Sequence, residues 1–278
     1  MNSVLIRSVA EMQMVSCKIK GTIGFVPTMG FLHEGHLSLV KAAQNRSDNV
    51  IVSIYVNPSQ FAPDEDLDNY PRDLDKDIEL LNELQVDYIF FPNDKEMYPA
   101  DFKTWVSVDK LTTMLCGKSR PTHFRGVTTI VTKLINIIRP DFMFLGEKDF
   151  QQLTVLKQMT KDLNLTTEII GCPLVREPDG LAMSSRNKYL TIDQRKNAIS
   201  IYKALLLAQD LFTNGHKTVD KIISKMKTLI NQHKGTIDYI DVVDSSTLES
   251  IENLYVGCRI VVAVYFGKTR LIDNIEIK

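Results

Sequence analysis

The feature that most constrains this chain is an alternation, over most of the stretch before Pro173, of short apolar runs with helical periodicity. Residues 22–26, 50–56, 88–91, 142–145 and 168–171 are short, carry β-branched or aromatic residues, end near Pro, Gly or Asn, and read as buried strands. Helical patterns fall between them at 35–46, 73–85, 127–138 and 150–163. Strands alternating with helices imply α/β architecture, a Rossmann-like parallel sheet covered by helices on both faces. In such a sheet, ligands bind beyond the carboxyl ends of the strands, at the point where strand order reverses.

The pattern changes near Pro173. Residues 192–214 and 218–233 read as helices, followed by strands at 239–243, 259–266 and 270–277, the last two joined through Gly267-Lys268-Thr269 as a β-hairpin. Helices followed by antiparallel strands indicate a smaller α+β domain. The expected division is 1–174 and 175–278, with no internal repeat and no low-complexity segment.

Of the 278 residues, 44% are apolar and 24% charged, with a net charge of -1. That balance is ordinary for a soluble globular protein. It argues against a nucleic-acid platform, which concentrates Lys and Arg, but leaves room for a local basic site for a small anion. The opening MNSVLIRSVAEMQMV lacks the cationic start, apolar run and small-residue cleavage site of a secretory leader. No stretch approaches the ~18 apolar residues of a membrane span, so a cytoplasmic location is expected. The four cysteines, Cys17, Cys116, Cys172 and Cys258, are scattered without a C-x-x-C pair and are read as buried or partly buried thiols. The acidic stretch 64–68, within PDEDLDNYPRDLDKD, reads as a solvated loop and helix start, with metal binding as the alternative.

The chemistry-bearing segment runs from Gly24 to His36, GFVPTMGFLHEGH, from a strand into a helix start. Thr28, Met29 and Gly30 form its turn, where glycine permits close backbone approach to a ligand. His33 and His36 are three apart and share one face of the first helical turn. A helix N-terminus presents unpaired N–H groups and a positive dipole end, suited to phosphate. A zinc protease requires H-E-x-x-H with histidines four apart, and this spacing fails it. Gly117-Lys118-Ser119 resembles the end of a P-loop, but its first glycine would fall at Thr112, so a flexible connecting loop is the better reading.

PTMGFLHEGHLSLV resembles the nucleotide-binding signature of the pantothenate synthetase family, within the HIGH-motif nucleotidyltransferase superfamily. Segments VSIYVNPSQF (52–61), YPR (70–72), THFRG (122–126), LGEKDF (145–150) and MSSR (183–186) resemble further parts of that family, in its order. The likeness runs from residue 21 to about 190, with only general similarity beyond. A cytidylyltransferase or phosphopantetheine adenylyltransferase would be shorter and lack the GEKD and SSR pair in this form. A non-catalytic nucleotide sensor would be expected to have lost a charged site residue.

The resemblance implies that ATP and pantoate give pantoyl adenylate and pyrophosphate, after which β-alanine displaces AMP, a step toward coenzyme A. It places ATP against Met29, Gly30, His33, His36, Gly146, Glu147, Lys148, Asp149, Val175, Met183, Ser184, Ser185 and Arg186. His33, His36, Lys148 and Arg186 are the implied catalytic set. Gln60 and Gln152 are the implied pantoate contacts, with Asn57 beside them and Met29 and Phe61 as apolar wall; His123 and Arg125 are a further polar contact. Mg²⁺ is expected, with Asp75 as the aligned ligand and Asp73 and Asp77 as neighbours. Substrates are small molecules, with no nucleic-acid or membrane partner, and the family implies a homodimer. Pantoate is ionised near neutrality, since carboxylates titrate near ~4, so adenylation needs positioning and charge stabilisation rather than a base. The amine of β-alanine does need to lose a proton, and His36 is the superfamily's usual assignment; here a phosphate contact is the stronger expectation for it. The loop at 183–186 and the C-terminal domain are expected to act as a lid.

Overall fold

The computed structural model describes residues 2–63 and 65–278, so Asp64, at the head of the acidic stretch, lies outside the described residues. The chain forms two compact units. The first comprises Met1–Thr113, Gly117–Glu147 and Gln152–Pro173. Its six strands are β1 (Val4–Ile6), β2 (Ile23–Thr28), β3 (Asn49–Ile54), β4 (Tyr88–Phe90), β5 (Phe142–Gly146) and β6 (Glu168–Cys172). All pair in parallel, in the order β1-β4-β3-β2-β5-β6. Five are the apolar runs visible in the sequence. The sixth, β1, has three residues with Val4 exposed, too short and too half-sided to show a period. The crossovers carry α1 (Val9–Ser16), α2 (Glu34–Gln44), α3 (Leu74–Glu83), α4 (Asp94–Met97), α5 (Cys116–Ser119), α6 (His123–Ile138) and α7 (Phe150–Asp162). Phe25, Val52, Ile89 and Phe144 are fully buried within the unit. Gly117-Lys118-Ser119 belongs to the single helical turn α5, not to an open loop.

Strand order reverses at β2, with β3 and β4 on one side and β5 and β6 on the other. Pairing of β2 with β5 ends at Phe25↔Met143, whereas pairing with β3 continues to Thr28↔Ile54. Pro27 explains part of this. The Ile23 carbonyl accepts from Asp141 N on the β5 side, and residues two apart along a strand share a side. The N–H that proline lacks would therefore have faced β5. The sheet opens at its switch point, under the turn that follows Thr28.

The second unit is Leu174–Lys278 together with Met114–Cys116 and Lys148–Gln151. The two short pieces are tied to it by side chains: Gln151 accepts from Cys116 N (3.0 Å) and donates to Met114 O (2.8 Å), and Asn274 donates to Lys148 O (3.0 Å). The Arg259 guanidinium lies 3.9 Å over the Phe150 ring. The unit contains α8 (Ile192–Ala198), α9 (Ser200–Thr213) and α10 (Val219–Gln232). Its antiparallel sheet is β7 (Thr236–Val243), β8 (Arg259–Phe266) and β9 (Thr269–Glu276), in that order. Ala204, Leu205, Ile222, Met226, Val262 and Phe266 form its buried core. The helix expected at 192–214 is interrupted at Ile199, which keeps right-handed angles (φ -59, ψ -23), so the periodicity carries no sign of the break. Gly267, at φ +62, opens the two-residue turn that pairs Phe266 with Thr269, as a type II′ hairpin requires.

Candidate functional site

At the end of β2, the Thr28 hydroxyl donates to Ser53 O (2.7 Å) and accepts from Gly30 N (3.2 Å), starting the turn that leads to the histidines. His33 is the N-cap of α2. Its Nδ1 accepts from Gly35 N (3.1 Å), and His36 Nδ1 accepts from His33 N (3.3 Å). The two half-buried rings lie 4.1 Å apart. The sequence places them on one face of a turn; the structure makes them each other's helix cap. A backbone N–H can only donate, so each Nδ1 holds a lone pair and each ring carries its proton on Nε2. The pair therefore presents two neutral N–H donors at a helix N-terminus.

Beyond β3 the chain turns through Pro58–Gln60. Asn57 is fully buried, and all four hydrogen-bonding capacities of its amide are used within the protein. Its Nδ2 donates to Gln60 Oε1 (2.8 Å) and Gly126 O (3.2 Å), and its Oδ1 accepts from Ser59 (2.9 Å) and Tyr98 (2.9 Å). Asn57 thus orients Gln60. With Gln60 Oε1 held as acceptor, the Nε2 amide protons are the ones Gln60 presents. His123 is likewise structural on one side: its Nδ1 donates to Gln60 O (2.8 Å). Arg125 stacks 4.8 Å over the Trp105 ring. A Cβ at Gly126 would lie 2.2 Å from Ser59 O and 2.8 Å from Gln60 N, so glycine lets α6 touch the Gln60 turn. Phe61 is half-buried, its ring edge-on to Tyr70 at 5.8 Å.

A cavity of about 430 Å³ lies at the carboxyl ends of β2, β3 and β4; Met29, Gly30, Arg72, Asp73 and Asp77 contribute to its lining. Of the three aspartates opening α3, Asp75 is exposed and does not line it. Asp73, also exposed, and Asp77, four residues on and so on the same face, both line the cavity, whereas Asp75 lies on the other side. Asp73 caps α3 by accepting from Lys76 N (3.3 Å). Asp77 is buried, and its oxygens accept from Phe31 N (2.8 Å) and Leu32 N (2.7 Å). Burial pushes its carboxyl above the usual range, with those two bonds pulling it back. Among the described residues no group of three or more His, Cys, Asp or Glu is arranged to hold a metal ion.

In the second unit, Lys148 lies 3.4 Å from the Asp149 carboxylate. A tight hairpin carries the serine-serine-arginine segment. Met183 N donates to Val175 O (3.0 Å) and Glu177 N to Leu181 O (2.8 Å), with Gly180 (φ +96) at its tip against Tyr202. Arg176 grips Asp273 with both nitrogens (2.6 and 2.9 Å), donates to Gly180 O, and lies 3.9 Å over Tyr202. Arg195 bridges Glu177 (2.5 Å) and Asp179 (2.8 Å), and Glu177 also accepts from Asn187 (2.7 Å). Ser184 caps the following turn, Ser185–Tyr189, through Arg186 N (3.3 Å); Ser185 is buried and Arg186 half-buried. The adjacent Gln151 and Gln152 have separate roles: Gln151 is buried and ties backbone, and Gln152 is half-buried.

A family model described as pantoate-beta-alanine ligase matches residues 4–276. The chain belongs to the pantoate–β-alanine ligase family. It is 54% identical to the pantothenate synthetase of Caldicellulosiruptor saccharolyticus over 279 aligned positions, covering 99% of each chain. It is 51% identical to that of Thermosipho africanus, over 98% of this chain and 99% of the relative. Among solved structures, the pantothenate synthetase of Thermus thermophilus matches at TM-score 0.94 and 42% identity, over 98% of this chain and 99% of the other. The pantoate-beta-alanine ligase of Francisella tularensis, solved as a complex with beta-gamma ATP and beta-alanine, matches at TM-score 0.84 and 39% identity, over 99% and 97% of the two chains. The expected α/β fold with a smaller α+β part is the fold observed, and the likeness extends through the C-terminal region where motifs fade.

Proposed function

We propose that this chain makes pantothenate from pantoate and β-alanine, using ATP and passing through pantoyl adenylate. A pantoate carboxylate oxygen bonds to the α-phosphorus as the bond to the pyrophosphate oxygen breaks. The β-alanine nitrogen then bonds to the acyl carbon, the bond to AMP breaks, and the nitrogen gives up a proton. The observation that carries this reading is the reciprocal histidine cap. Two neutral Nε2–H donors at a helix start suit charge that builds on phosphate oxygens during adenylation. A neutral, Nδ1-occupied His36 fits phosphate contact better than removal of the amine proton, since its basic nitrogen is already engaged.

Lys148 and Arg186 are proposed as cations for the phosphates, with Ser184 and Ser185 as donors. Glu147, Asp149, Val175 and Met183 are proposed to complete the nucleotide contacts with Met29 and Gly30. Gly146 fits that role: a Cβ there would meet nothing within 4 Å, so room remains where β5 ends. Gln60 and Gln152 would hold pantoate, with Met29 and Phe61 against its methyl groups and Asn57 fixing the Gln60 amide. Mg²⁺ is proposed to arrive with the triphosphate, where it neutralises phosphate charge. The exposed Asp75 suits an ion that keeps most of its waters and takes one carboxylate, while Asp73 and Asp77 are engaged with backbone N–H groups. We further propose functional domains at 1–174 and 175–278, a homodimer, and a cytoplasmic location. No helix among the described residues is long and apolar enough to cross a membrane.

The deciding experiment is AMP release from ATP, with pantoate and β-alanine present together and each omitted in turn. AMP should require pantoate, and pantothenate should require both. AMP formed at an undiminished rate without pantoate overturns the proposal.

A further inference from the structure

The turn joining β2 to α2 contains two successive residues in the left-handed region, Gly30 (φ +82) and Phe31 (φ +53). For phenylalanine that conformation is uncommon and must be held by its surroundings. In a turn, consecutive N–H groups can converge on one point and form a concavity that binds anions. Here those groups are Phe31 N and Leu32 N, and the anion already in place is the Asp77 side chain, at 2.8 and 2.7 Å with one oxygen on each. Asp77 is 2% exposed, the one charged residue among those buried on α3. The fit leaves no slack: a Cβ on Gly30 would lie 3.0 Å from Asp77 Oδ2 and 3.0 Å from Ile54 Cγ2. Immediately after this turn comes His33, whose ring and backbone N–H both take part in the cap.

We infer that Asp77 is a positioning residue for the adenylation step, an internal anion that fills the 30–32 nest and fixes the backbone from which the His33–His36 cap starts. Its second effect is to close that nest to substrate anions. Phosphate and carboxylate are then left to the histidine Nε2–H groups and the helix start. The inference rests on the proposed adenylation and deepens it by naming what holds the histidines.

The test uses full-length Asp77→Ala and Asp77→Asn beside the wild type. It measures kcat, KM for ATP, single-turnover adenylation and thermal melting. Each assay is run alone, with sodium formate, and with formamide at the same concentration. Formate can enter the emptied site of Asp77→Ala as a carboxylate; formamide has its shape without its charge. A displacement of catalytic groups by about an ångström costs on the order of 10²-fold in rate, so that is the expected fall in kcat for Asp77→Ala. Formate should recover at least ~10-fold of it and formamide should not, because the nest is an anion site. Asp77→Asn retains one acceptor and should lose kcat by ~10-fold with KM for ATP changed by less than about 3-fold, the mark of an effect confined to the transition state. Folded variants with wild-type single-turnover rates overturn the inference, as does a rate loss that formate and formamide restore equally or not at all. If Asp77→Ala does not fold, Asp77→Asn decides by the same split. A wild-type enzyme that makes no pantothenate would instead count against the proposed function.

Discussion

Two turns in this molecule hold donor groups in place, and they do so by different physical means. The turn before α2 is held by short, buried, local contacts: left-handed backbone at Gly30 and Phe31, one enclosed carboxylate, and two neutral imidazoles capping each other. The hairpin at 175–183 is held by long side chains, with Arg176 on Asp273 and Arg195 on Glu177 and Asp179. The first arrangement is tightly packed at Gly30 and, being buried, is screened little by salt. The second spreads its restraint over charges, of which the Arg176–Asp273 pair is largely buried and the Arg195 pairs, with Asp179 40% exposed, are open to solvent in part. Burial therefore separates the strong restraint from the weak one within the same hairpin.

The comparison breaks most sharply at Arg176→Gln. Removing one partner of a buried ion pair leaves the other uncompensated and costs about 3–5 kcal/mol, read by denaturant unfolding. Burial already pushes the Asp273 carboxyl up and Arg176 pulls it back, so the variant's Asp273 should titrate higher still. A carboxyl raised in the folded state adds stability that is lost as pH rises through its folded pKa. The deficit of Arg176→Gln should thus be larger at neutral pH than in mild acid; a deficit independent of pH would mean the carboxylate finds another partner. Next is His36→Ala, which removes a phosphate donor and half of the cap. Pantoyl-adenylate formation in a single turnover should slow by at least ~10²-fold, with near-normal adenylation counting against phosphate contact.

Gly126→Ala sharpens the role of close packing in the first unit. The added methyl meets the Ser59 and Gln60 backbone, and overpacking of this kind costs about 1–3 kcal/mol. Because that backbone carries Gln60, KM for pantoate should rise while KM for ATP stays near wild type. A uniform loss of both would point to unfolding alone. The smallest effect is expected for Arg195→Gln, about 1 kcal/mol or less for a partly exposed pair, and shrinking with added salt because screening already weakens the pair in the wild type. A stability loss of several kcal/mol that ignores ionic strength would place Arg195 with the buried restraints.

Much of the fold was legible from sequence because strand and helix periods differ and the elements are long enough to show them. The exceptions are physical. β1 is too short to have a period, and Ile199 interrupts a helix without leaving right-handed angles. The histidine pair, Lys148 and the serine-serine-arginine turn were legible as motifs. Their supports were not: Asn57 and Asp77 look in sequence like polar residues beside a site, and only the fold shows that both are buried and hydrogen-bonded to other protein groups. The glycine of THFRG was a faint signal for Gly126, and nothing marked Arg176 or Arg195 as holding a hairpin. Cys17 proved exposed, unlike the three buried cysteines, because a helix end offers no period from which to read its side.

The sequence by itself determined the alternating α/β order, the α+β character of the C-terminal region, and the family, since all three lie in patterns along the chain. Tertiary structure alone decided which of three closely spaced aspartates is enclosed while the other two stay exposed, and which nitrogen of each histidine bears the proton. The reason is that such choices depend on partners far away in sequence, Asp77 on Phe31 and Leu32, Asn57 on Gly126 and Tyr98. A hydrogen bond fixes the role of a side chain only once folding has brought its partner within about 3 Å.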